Sequence, residues 1–217
     1  VAAALRTLGL RDGRAERRDV YFYDTPSLEL FQSGAVLRAR KVYDGADDST
    51  VKLRPMLRTA VASRWFSESG FKCETDVVGE RSTDSCSLTE GQDRGEIDAV
   101  ASSSRTVQQL FTDDQERYLE TYATRPIPWT RLRALGPIDA RVWHFTASSV
   151  GATVTAERWT LPDATVLLEL SIRVPRTQQR TMQTRFDRWL RSVRIDPSEQ
   201  QETKTRVALE FFAARVR

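Results

Sequence analysis

Two short segments of the chain, Leu37-Arg38-Ala39-Arg40 and Lys52-Leu53-Arg54, place pairs of cations two residues apart. A strand turns alternate side chains to opposite faces, so Arg38 and Arg40 share one face, as do Lys52 and Arg54. The opposite parity carries Ala35, Leu37 and Ala39, then Val51, Leu53 and Pro55. The pattern predicts a sheet with one apolar face and one strongly cationic face. Such a surface suits a chain of phosphates.

The 217 residues are enough for one large domain or two small ones. With 40% hydrophobic and 29% charged residues, the chain reads as globular and not disordered. No apolar run reaches the length of a membrane-spanning helix, and no signal peptide is visible, so a cytoplasmic protein without a membrane partner is expected. The net charge of +3, from 33 basic and 30 acidic residues, does not argue for nucleic acid, and no DNA partner is expected. Two cysteines, Cys73 and Cys86, cannot assemble a zinc set. They read most simply as reduced thiols, with a disulfide open to them if their strands are neighbours. A single histidine, His144, leaves little material for imidazole acid–base chemistry.

Periodicity predicts a helix over residues 2–10, a strand over 18–23 and a short helix from Pro26 to Phe31 closed by Gly34. Strands follow over 35–43, 50–56 and 71–78. Residues 82–96 are polar and read as a loop or a short strand. A helix is expected over 107–122, then strands over 127–135, 140–147, 152–160 and 165–174, with Gly136-Pro137 and Pro162-Asp163 as turns. Residues 181–193 form an amphipathic helix, and 202–213 fit a strand or a helix. The expected fold class is α+β, mainly antiparallel β, with about eight strands.

Polar pairs recur at the same spacing. Lys72, Glu74 and Asp76 share a parity, as do Arg131 and Arg133, and Glu169 and Ser171; Lys204 and Arg206 share one if their segment is extended. On any single strand this is the ordinary pattern of a wet sheet face. Six such segments also fit a closed eight-stranded sheet with helices packed outside and the polar parity turned inward. Like charges gathered there would need carboxylates or bound anions between them. Asp24 reads as a helix cap, Gly34 as a helix end, and Trp143, Trp159 and Trp189 as core. Glu157 reads either as part of the polar face or as an exposed partner of Arg158.

Tyr23-Asp24-Thr25-Pro26, Gly34-Ala35-Val36-Leu37-Arg38-Ala39-Arg40 and Val51-Lys52-Leu53-Arg54-Pro55 together resemble the CYTH domain of the triphosphate tunnel metalloenzymes. Lys72-Cys73-Glu74-Thr75-Asp76 is similar to that family's Arg-x-Glu-x-Glu segment, Leu168-Glu169-Leu170-Ser171 to its Glu-x-Glu strand, and Thr203-Lys204 to a late Ser-Lys. The resemblance runs from residue 19 to 206 and implies a single domain over 1–217, an eight-stranded tunnel-like barrel. It implies a small-molecule triphosphate or nucleoside triphosphate as partner and Mg2+ or Mn2+ as cofactor. Family activities include hydrolysis of inorganic triphosphate and adenylate cyclisation.

The phosphate-binding residues implied are Arg38, Arg40, Lys52, Arg54, Lys72, Arg131, Arg133 and Lys204. The metal ligands implied are Glu169, Glu74 and Asp76, and the catalytic set is Lys52, Arg54 and Glu169. The family's Glu-x-Glu-x-Lys strand precedes its first helix, whereas this chain opens on Val1-Ala2-Ala3-Ala4-Leu5, so that strand is expected upstream of Val1 or absent. Ser171 stands where the family has a carboxylate. A triphosphatase is the first expectation; a non-catalytic binder of polyphosphate or nucleotide, or an adenylate cyclase, are the alternatives.

Overall fold

The computed structural model describes residues 1–197 and 203–215. Eight antiparallel strands join in the order β4-β5-β3-β2-β1-β6-β7-β8. They are β1 (Glu16–Asp24), β2 (Ala35–Val42), β3 (Asp47–Leu53), β4 (Phe71–Val78), β5 (Arg81–Gln92), β6 (Arg133–Ala147), β7 (Ala152–Thr160) and β8 (Val166–Ile172). The helices are α1 (Ala2–Thr7), α2 (Glu29–Gln32), α3 (Glu96–Ala101), α4 (Asp113–Tyr122), α5 (Gln179–Ser192) and α6 (Lys204–Ala213), among shorter 3-10 turns. The α+β class with a mainly antiparallel sheet is as expected.

The chain divides into two compact units. One combines Val1–Arg18 with Ile138–Lys204, and the other combines Asp19–Pro137 with Thr205–Arg217. In the second unit, Ala35, Leu37, Ala39, Val51 and Leu53 are buried on one face, as the alternation predicts. Helix α4 covers that face. Its Gln115, fully buried, donates to the carbonyls of Ser49 (3.1 Å) and Leu88 (3.3 Å) and accepts from Ser49 Oγ (2.9 Å). Tyr118 Oη donates to Cys86 O (3.3 Å). These bonds tie α4 to β3 and β5 and satisfy groups that burial would otherwise penalise.

Asp24 does cap α2. Its carboxylate is almost fully buried and accepts from the backbone N–H of Thr25 (2.7 Å), Leu30 (2.9 Å) and Phe31 (2.9 Å). Burial pushes its pKa above the usual value, while those three donors pull the other way. Asp24→Asn replaces an acceptor oxygen with a donor facing other donors. We expect a loss of about 2 kcal/mol in a denaturant melt; an unchanged midpoint would mean that the cap contributes nothing.

In the first unit, β6, β7 and β8 carry an apolar parity that packs beneath α1 and α5. Leu5 meets Trp143 and Ala156, while Met182, Trp189 and Leu190 meet Val154 and Ala147. Trp143 and Trp189 are core residues, as expected, and Trp159 is buried as well.

Several expectations are corrected. Of the loop or short strand expected over 82–96, the strand is what forms, and it is long: Arg81–Gln92 is a 12-residue strand paired with both β3 and β4. Residues 127–132 are not a strand, because Trp129–Arg131 turns as a 3-10 helix after Pro128, and β6 starts at Arg133. Gly136-Pro137 lies inside β6 and is no turn. A Cβ at Gly136 would stand 2.8 Å from both Val20 O and Tyr21 Cδ1, so this glycine serves close backbone approach. Of the helix expected over 107–122, only Asp113–Tyr122 is α-helical. The segment expected over 202–213 is a helix from Lys204, residue 202 lying outside the described residues, so Lys204 and Arg206 do not share a strand face. Finally, Cys73 and Cys86 are not free thiols. They sit directly opposite each other in the β4–β5 register and form a disulfide. Among the described residues, no helix is long and apolar enough to cross a membrane.

Candidate functional site

The polar face of the second unit follows from strand register. On β2 and β3, Arg38 lies opposite Thr50, and Arg40 opposite Asp48. On β3 and β5, Thr50 lies opposite Thr89, and Lys52 opposite Ser87. On β5 and β4, Ser87 lies opposite Lys72, Ser85 opposite Glu74, and Thr83 opposite Asp76. One face of four adjacent strands therefore carries Arg38, Arg40, Lys52, Lys72, Asp48, Glu74 and Asp76 together with Thr50, Thr83, Ser85, Ser87 and Thr89.

Arg54, two residues beyond Lys52, shares the parity and reaches the same carboxylate. Asp76 Oδ2 lies 2.9 Å from Lys52 Nζ and 3.7 Å from Arg54 Nη1, and accepts from Ser85 Oγ at 3.4 Å. Arg40 forks onto Asp48, with Nη2 2.7 Å from Oδ2. Lys72 pairs with Glu74 at 3.3 Å. Five cations thus share the face with three carboxylates. Lys52, Arg54 and Asp76 are each about one-third exposed, so the charges are partly shielded from water yet open to a ligand.

The hydroxyl ladder of β5 escaped the sequence reading. Its signal was the alternation of Thr83, Ser85, Ser87 and Thr89 with Asp84, Cys86 and Leu88. Ser85, Ser87 and Thr50 are nearly fully buried, and the hydroxyls of Thr50 and Thr89 lie 3.0 Å apart. Hydroxyls both donate and accept, so they can complement phosphate oxygens between the fixed cations.

Arg131 and Arg133 are not drawn into this network. Arg131 forks onto Glu29 at 2.6 and 2.8 Å and holds that exposed carboxyl below its usual pKa through the hydrogen bond. Arg133 donates to the carbonyl of Leu132 (2.9 Å). A shallow hollow of about 390 Å3 beside them is lined by Thr25, Pro26, Ser27, Glu29 and Arg131.

The first unit has a polar face of its own. Glu157 on β7 lies directly opposite Glu169 on β8, next to the opposed pair Thr155 and Ser171. Lys204 bridges the two carboxylates. It contacts Glu157 Oε2, sits 3.4 Å from Glu169 Oε1 and stands 4.6 Å over the ring of Trp159. Trp159 Nε1 donates to Glu157 Oε1 (2.7 Å). Glu157 therefore belongs to the polar face and is not a partner of Arg158, which forks onto Asp12. Among the described residues, no three His, Cys, Asp or Glu side chains gather closely enough to hold a metal unaided.

No protein-family model and no curated protein matches the sequence. Solved structures do match. A Hippeastrum protein, proposed as an adenylyl cyclase and described as having a dominant triphosphatase activity, superposes with a TM-score of 0.68 at 12% identity, covering 97% of this chain and 91% of its own. A proposed adenylate cyclase from Bacillus halodurans gives 0.62 at 12%, covering 94% and 89%. A Pyrococcus horikoshii protein gives 0.51 at 9%, covering 97% and 94%.

The chain has the CYTH fold. At such identity the likeness fixes the course of the backbone and leaves chemistry to the side chains. In this CYTH fold, β2, β3 and β4 supply the cations of one face, and β7 and β8 the opposed carboxylates of another.

Proposed function

We propose that this chain binds a small triphosphate on the cationic face of its second unit and hydrolyses it with the help of a divalent ion, magnesium or manganese. One observation carries the reading: Arg38, Arg40, Lys52, Arg54 and Lys72 share a strand face with a ladder of hydroxyls, while the reverse face is sealed by helix α4. A solvated face has no need of five cations over buried hydroxyls. A triphosphate, with several charges in line, does.

Phosphoryl transfer asks a protein mainly for positioning and charge neutralisation. Arg38 and Arg54 would grip phosphate oxygens through the guanidinium fork and Lys52 as a point charge. Asp76 holds Lys52 and Arg54 in place, and phosphate oxygens would compete with it for the same donors. The ladder from Thr50 to Ser85 would complete the contacts to oxygens that the cations do not reach.

The donors fit a hard cation. Glu157 and Glu169 are opposed, oxygen-bearing and flanked by hydroxyls, and magnesium is usually held by one or two carboxylates, with water and phosphate completing its shell. Glu169 would be the principal ligand with Glu157 beside it. When bound, the ion would supply charge neutralisation and a water of lowered pKa.

The non-catalytic alternative is favoured by one contact, the Lys204 ammonium bridging Glu157 and Glu169. A cation already serves that pair. The deciding experiment is phosphate release from inorganic triphosphate, thiamine triphosphate and ATP, with magnesium, with manganese and with chelator. We expect metal-dependent release from at least one of them. Binding without release under every condition would leave the chain a binder, and cyclic AMP from ATP would make it a cyclase.

A further inference from the structure

Helix α5 carries a second concentration of positive charge that the triphosphate reading does not use. Arg180, Arg185, Arg188 and Arg191 on the helix, and Arg176 and Arg194 flanking it, are all exposed. None of these six forms an ion pair among the described residues. Asp187 is the single acid of the helix. At 100° per residue, Arg180, Arg188 and Arg191 fall within about 80° of one another, with Arg185 about 60° to the side. The opposite side is spent on the core through Met182, Phe186, Trp189 and Leu190.

This stripe runs against the helix's own stability. Arg185, Arg188 and Arg191 follow at i, i+3 spacing, where like charges repel. Arg176 and Arg180 stand at the N-terminal end, where the helix dipole favours anions. The first turn has no acid and the N-cap, Gln178, makes no side-chain bond. A solvated helix usually interleaves acids with its bases, whereas α5 sets Asp187 alone among four arginines. Asp187, four residues before Arg191 on the same side, offsets only part of this repulsion over about 21 Å of helix, and a polyanion laid along it would relieve the rest.

We propose that the exposed side of α5 is a docking surface for a linear inorganic polyphosphate chain. The cations are all arginines, whose fork matches phosphate oxygens. No aromatic side chain is exposed on this helix, so bases find no stacking platform, which disfavours single-stranded nucleic acid. Its apolar side is already packed, so nothing remains to insert into a lipid surface. Guanidinium groups spread along one side of the helix can follow a single flexible line of phosphates.

The test measures binding of long-chain inorganic polyphosphate by fluorescence anisotropy at low and high salt. Excess inorganic triphosphate is kept present so that any triphosphate site is saturated. We expect binding that weakens steeply with salt and falls at least about 100-fold in R180E/R185E/R188E/R191E. The milder R185Q/R188Q, checked for native circular dichroism, should lose about 10-fold. Absence of polyphosphate binding, equal binding by R185Q/R188Q, or tighter binding of duplex RNA or anionic vesicles at equal phosphate concentration would each overturn the proposal. Because triphosphate saturates the other face, these outcomes are independent of whether the chain is a triphosphatase.

Discussion

The double replacement Arg38→Ala and Lys52→Ala is expected to weaken triphosphate binding by about 100-fold, and either alone by about 10-fold, because a charge-assisted contact to phosphate is worth roughly 1.5–3 kcal/mol. The two residues sit on neighbouring strands, Arg38 opposite Thr50 and Lys52 opposite Val36, so they approach one ligand from two positions on a rigid sheet. Neither substitution touches the core, since both side chains lie on the face away from Leu37, Val51 and Leu53. A loss of affinity should therefore come without a large loss of stability. Binding should also depend on salt, because both cations are part-exposed. Titration calorimetry reads the effect directly. A double variant that binds within about threefold of the parent would remove the cationic face from the account.

The largest stability effect is expected at Gly34. Its φ of +84° closes α2 in the left-handed region, and its carbonyl accepts from Arg54 N at 2.8 Å. A Cβ there would lie 2.5 Å from Arg54 O and 3.3 Å from its carbonyl carbon. Alanine must therefore pay twice, for the left-handed backbone and for pushing back the chain at Arg54. We expect Gly34→Ala to cost about 3 kcal/mol and to lower the melting temperature by roughly 6–12 °C. Because Arg54 is displaced relative to Asp76, triphosphate affinity should fall as well. An alanine variant melting within about 2 °C of the parent would show that the backbone gives way there at little cost.

How much of this was legible in the sequence depended on contrast between the two strand faces. Arg38 and Arg40 against Leu37 and Ala39 differ sharply in polarity, so β2 and β3 could be read residue by residue. β5 could not, because Ser85, Ser87 and Thr89 contrast weakly with Asp84 and Cys86, although the period of two was present. Arg131 and Arg133 have the right spacing but follow Pro126 and Pro128, and the chain turns at Trp129 instead of extending. Lys204 lies in a segment that the sequence left open to strand or helix; Ala208, Leu209, Phe212 and Ala213 repeat with helical spacing and are all buried. The cysteines were judged by compartment, whereas strand register decided their pairing. Long-range partners were the hardest part. Nothing local announces that Lys204 meets Glu157, or that Gln115 binds the backbone of β3 and β5.

The central claim is that a strand face of fixed cations and hydroxyls recognises phosphates in series. Titration calorimetry of the unmodified chain with orthophosphate, pyrophosphate and inorganic triphosphate, in the presence of chelator, tests it most directly. The account predicts affinity rising at each step, with triphosphate bound at least about 100-fold more tightly than orthophosphate. Equal affinity for all three, or no detectable heat with triphosphate, would contradict it.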